Sequence, residues 1–95
     1  MASYLIAYDL IKETEHDYEK LWAELKRLKA HKTQLSLWLL ASVNSAQTVH
    51  DSLKKFMHEK DRLWVAEFQA DRYAYSNAIG GTTDWIKNNP PRKCS

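Results

Sequence analysis

Residues 3–8, Ser-Tyr-Leu-Ile-Ala-Tyr, carry no charge and place β-forming side chains on both parities. A strand that is apolar on both faces belongs inside a sheet, with a neighbour on each side. Ten residues on from Tyr8, a second pattern begins. Tyr18, Leu21, Trp22, Leu25 and Leu28 recur at spacings of three and four, while Glu19, Lys20, Glu24, Lys26, Arg27 and Lys29 fill the opposite side. That is an amphipathic helix of about four turns, and its apolar stripe must be buried against something. A buried strand followed by such a helix commits the chain to helices packed on a sheet.

The remaining segments extend this alternation. Thr14 to Asp17 reads as a capping-box variant ahead of the first helix. Residues 33–43, TQLSLWLLASV, alternate Leu35, Leu37 and Leu39 with Ser36, Trp38 and Leu40. Their period of two marks extended chain, either one bent strand or two short ones with an unsignalled corner. Ser45 is a good N-cap for a second helix with Ala46, Val49, Leu53, Phe56 and Met57 on one face, ending near His58 to Lys60. Residues 62–68, RLWVAEF, read as another strand. Beyond Ala70 the periodicity fades, with room for a short edge strand before Gly80-Gly81 and a last helical turn at 83–87, stopped by Pro90-Pro91.

The order β-α-β(β)-α-β-(β) predicts an α+β fold of ferredoxin-like, split βαβ type. An antiparallel sheet carries two helices on one face and leaves its other face uncovered by its own chain. With 95 residues the expectation is a single domain over 1–95, a core over 3–70 and a C-terminal extension over 71–95. Four Trp and five Tyr are a heavy apolar load for a chain of this size, which points to a second copy covering part of it. Trp38 and Trp64 lie on the parity opposite the leucines, so both are expected on the open face, as dimer contacts in the first place and as a base-stacking platform in the second.

A net charge of +2 is too small by itself to argue for nucleic acid. One cysteine, Cys94, supports neither a disulfide framework nor a Cys-based zinc site within one chain, and fits a reducing, cytoplasmic setting. There is no secretory h-region and no apolar run near the ~18 residues of a membrane span.

The residues Tyr4-Leu5-Ile6, Tyr8-Asp9-Leu10, Tyr18, Leu21, Trp22, Ser36, Trp38, Ser45-Ala46, Asp61-Arg62-Leu63 and Val65 carry a resemblance. Over residues 3–68 the chain resembles the small proteins related to the second CRISPR-associated adaptation protein, the SinR-like group, and more distantly virulence-associated protein D. The resemblance implies a ferredoxin-like homodimer. It also implies that Asp9, at the end of the first strand, faces its twin across the interface, where two carboxylates hold one Mg²⁺. Some of those relatives are metal-dependent nucleases and others are scaffolds that grip duplex DNA. They often carry further Arg residues near the second strand, whereas residues 33–43 here hold none.

Asp9 is therefore the candidate catalytic and metal-binding residue. A hard divalent cation wants several oxygens, and one chain supplies few around Asp9, so the site depends on a dimer. The plainer role is a strand-end acid accepting a backbone hydrogen bond. His50 and His58, two helical turns apart, are too far apart for one ion, and with His16 and His31 they read as surface or boundary residues. No nucleophile signature surrounds Ser36, Ser42 or Ser45. Lys26, Arg27, Lys29, Lys32, Lys54, Lys55, Lys60 and Arg62 either track phosphates as one stripe or, interspersed with acids, form ordinary solvated helix faces. The leading expectation is a dimer engaging DNA or RNA, with Mg²⁺-dependent endonuclease activity through Asp9. The alternative is a non-catalytic module that binds a protein partner, such as a toxin–antitoxin component or a phage-encoded inhibitor.

Overall fold

The computed structural model describes residues 1–11 and 18–93, so the expected capping box, His16 and Cys94 lie outside the described residues. The described elements run β1 (Ala2–Asp9), α1 (Glu19–Arg27), β2 (His31–Gln34), β3 (Leu37–Ser42), α2 (Ala46–Lys54), β4 (Arg62–Phe68) and α3 (Thr82–Asn88). The strands form one antiparallel sheet in the order β2-β3-β1-β4. β1 is flanked on both sides, as its two apolar faces require. Two strand–helix–strand units interlock, because β3 lies between β1 and β2 while β1 lies between β3 and β4. This is the ferredoxin-like α+β arrangement that the element order predicts.

One face of the sheet carries the core. β1 sends Tyr4, Ile6 and Tyr8 inward beside Leu40 and Trp38 of β3 and Val65 and Leu63 of β4. Leu21 and Leu25 of α1 and Val49 and Leu53 of α2 close over them, with Tyr18 and Met57. Each fully buried Leu or Ile contributes about 1.5–3 kcal/mol of transfer free energy. α1 ends where Lys29 takes a left-handed φ of 62°. The Ala30 amide then donates to the Leu25 carbonyl and the Lys29 amide to that of Lys26, which satisfies two carbonyls of the last turn. α2 starts as its sequence predicts, the Ser45 hydroxyl accepting from the Thr48 amide at 3.2 Å. It ends at Lys54 rather than near His58 to Lys60, and α1 spans nine residues, Glu19–Arg27, rather than about four turns.

Four further expectations need correction or resolution. Residues 33–43 are two strands meeting at a turn over Leu35-Ser36, and the first of them begins earlier, at His31. Trp38 lies in the core on the helix-covered face, since both parities of β3 are apolar and periodicity alone does not choose between them. No strand forms over 71–81. The second sheet face is half covered by the chain itself. Residues 69–93 fold back across it and bury Ser3, Leu39 and Phe68, while α3 packs against β2.

Candidate functional site

Asp9 is the last residue of β1 and sits directly opposite Arg62, the first residue of β4. Both side chains emerge on the face away from α1 and α2. Arg62 Nη1 approaches Asp9 Oδ2 at 3.6 Å, and the two side chains are 71% and 67% exposed. One residue further in, Ala7 of β1 pairs with Trp64 of β4. Alanine offers little side chain against the indole, and Trp64 remains 75% exposed. The β2–β3 turn completes the site. The Tyr8 amide donates to the Ser36 carbonyl at 3.2 Å, which holds the turn beside the end of β1 and leaves Leu35 82% exposed. The result is an open cleft of about 700 Å³ with Ala7, Leu35, Leu37 and Trp64 as its apolar lining and Asp9 and Arg62 as its charged residues.

The geometry bears directly on the expected chemistry. Asp9 offers two oxygens, one of them already facing a guanidinium, whereas Mg²⁺ demands near-octahedral coordination by oxygen. Among the described residues no three His, Cys, Asp or Glu side chains gather as a metal site. Within one chain these donors do not fit the ion. The charges lining the cleft also cancel, so it presents apolar surface with a neutral ion pair at its edge.

The other candidates are dispersed or already engaged. Arg27 forms a two-pronged pair with Glu24 at 2.6 and 2.7 Å. The Lys54 ammonium donates to the carbonyls of His58 and Asp61. Arg62 lies on the opposite side of the sheet from the helices, so it does not join the helix lysines in one stripe. The His50 ring contacts Asp51 at 3.0 Å, and that pairing, together with a hydrogen bond from Gln47, holds the Asp51 carboxyl below its usual range. Neither His50 nor His31 approaches Asp9; His31 Nε2 lies 2.9 Å from the Thr82 hydroxyl.

Two polar constructions escape sequence reasoning. Asp61, 6% exposed, accepts from the Tyr18 hydroxyl at 2.6 Å and from the Ile11 and His58 amides at 2.8 Å each. Burial pushes its carboxyl up, but these three donors and the nearby His58 prevail and hold it below the usual range. In the core, the Tyr8 hydroxyl accepts from both Trp22 Nε1 at 3.3 Å and Trp38 Nε1 at 3.0 Å. Only register and helix docking bring these partners together, and neither leaves a short-range motif.

No protein-family model matches the chain, and no solved structure is significantly similar to it. No helix among the described residues is long and apolar enough to cross a membrane.

Proposed function

We propose that the chain is a non-catalytic interaction module that pairs with a second copy of itself through the uncovered half of the sheet face. The observation that carries this reading is the exposure of Trp64 beside Leu35 on a sheet surface whose other half the chain already buries. A large indole left in water is anomalous, and a protein surface removes it at a gain of several kcal/mol. A two-fold interface must be self-complementary, and an apolar centre flanked by one acid and one base meets that condition: Asp9 of each copy finds Arg62 of the other. Phosphate-rich ligands are disfavoured here because no excess of cations lines the cleft.

Light scattering at tens of micromolar tests the proposal. The expected mass is twice the 11.1 kDa of the chain, falling to the single-chain value in Trp64→Glu without loss of helical signal. A wild-type protein at the single-chain mass would overturn it.

One observation favours a second reading, the metal-dependent nuclease. Asp9 stands exposed on the rim of this same face, so a two-fold axis close by would double the carboxylates. In that case Asp9→Ala abolishes Mg²⁺-dependent cleavage of RNA or DNA and leaves the dimer intact. Cleavage that persists in the variant removes Asp9 from the reaction.

A further inference from the structure

The C-terminal residues do not seal against the sheet everywhere. Between them and β1, β2 and β3 lies a second cleft of about 130 Å³, which adjoins the Trp64 site at Gln34 and Leu37. Its floor is aliphatic, from Leu5, Leu39 and Ile86. One wall is aromatic: Phe68 meets Tyr73 edge-on at 5.0 Å, and Tyr73 and Tyr75 run parallel at 6.4 Å. An apolar cavity of this size lined by aliphatic and aromatic side chains holds about one benzene-sized ring.

The polar side of the cleft narrows the chemistry further. Thr82 has one hydroxyl proton, and the Ile79 carbonyl, 2.7 Å away, can only accept it. The Thr82 oxygen therefore accepts from its other two partners, His31 Nε2 at 2.9 Å and the Thr33 hydroxyl at 3.0 Å. This commits the proton of Thr33. Thr33 Oγ1, on a buried residue that lines the cleft, is left with acceptor capacity and no donor to offer. A ring bearing a hydroxyl or N–H meets that requirement; a purely hydrocarbon ring wastes it. Gln34, exposed on the same lining, has an amide free to bond the polar edge of such a ring.

We infer that this cleft is a binding site for a single-ring aromatic molecule carrying a hydrogen-bond donor, of the phenol class, held between the C-terminal aromatics and the sheet with its donor on Thr33. Thr33 and the C-terminal aromatics lie outside the Trp64 cleft, with which the site shares Gln34 and Leu37.

The test titrates the full chain with phenol, following amide shifts by NMR, with toluene and anisole as ring-matched ligands that have no donor. Saturable shifts are expected at Leu5, Thr33, Leu39 and Phe68, with dissociation constants on the order of 1 mM or below, as suits so few heavy atoms. Phenol binds about three- to tenfold tighter than either control, and Thr33→Val erases that margin. Filling the cleft with Leu5→Phe from the sheet side, or with Ala74→Leu from the exposed loop side where folding is not at risk, weakens phenol at least tenfold. Absence of saturable shifts, equal affinity for toluene and phenol, or undiminished binding in the folded Ala74→Leu variant would each overturn the inference.

Discussion

Asp61 joins three chain segments that are distant in sequence: the turn after β1 at Ile11, the start of α1 at Tyr18 and the loop that leads from α2 into β4. Asp61→Ala removes the acceptor of the buried Tyr18 hydroxyl and of two part-buried amides. The cost is about 3 kcal/mol, read as a fall of more than about 10 °C in Tm. The carboxylate also has a pH signature. Because its folded pKa lies below the unfolded value near 4, its contribution is complete above that value and is lost as pH falls through the lower, folded one. Denaturant titrations from pH 7 to pH 2 should show wild type and Asp61→Asn converging in stability as the solution becomes acid. A constant gap between them would mean that the charge of Asp61 is not what the three donors hold. The sequence names Asp61 only within the Asp61-Arg62-Leu63 resemblance and gives it no structural role, because its three donors come from distant segments. It also marks Asp9, whose position at a strand end is visible, and Arg62, but not that the two stand opposite each other, which only the register of β1 with β4 supplies.

At the scale of elements, whatever was written in local periodicity was legible. β1, α1, α2 and β4 follow from spacing, and Ser45 from its capping chemistry. The hairpin was ambiguous because Leu35-Ser36 turns the chain without Gly, Pro or Asn. Trp38 was assigned to the wrong face for a related reason. With Leu37 and Leu39 on one side and Trp38 and Leu40 on the other, only the docked helices decide which side is inner. The path of residues 69–93 was illegible altogether, since it is set by single tertiary bonds rather than by a repeat. Thr82 is the densest of these, joined to Ile79, His31 and Thr33. Thr82→Val keeps the shape and removes all three bonds, at a cost of about 2 kcal/mol. Hydrogen exchange locates the loss: the Ile79 amide, which donates to the Thr33 carbonyl, exchanges faster, while the amides of β1 keep their protection. Uniform loss of protection throughout the sheet would instead mean that α3 and β1 open as one unit.

At the scale of the whole molecule, the sheet has one protected face and one that is shared out. Helices α1 and α2 close the first; on the second, residues 69–93 take the end with Ser3, Leu39 and Phe68 and leave the end with Ala7 and Trp64. Leu37 borders both clefts, so the two halves form one continuous apolar surface that the C-terminal segment divides. On the proposed dimer, the segment thereby limits association to the Trp64 end. Ending the chain at Gln69 should bare Leu5, Leu39 and Phe68 together with Trp64, an area beyond the few hundred Å² that lone soluble domains tolerate. The shortened chain is expected to bind hydrophobic dyes and to sediment as species larger than a dimer. It should continue to associate when Trp64→Glu is added, because the newly exposed half lies outside the reach of that charge. In the 95-residue chain the same substitution is expected to give monomers. If the shortened chain instead stays a folded monomer that takes up no dye, the C-terminal residues do not shield this face, and the exposure of Trp64 loses its explanation as the remnant of a larger sticky surface.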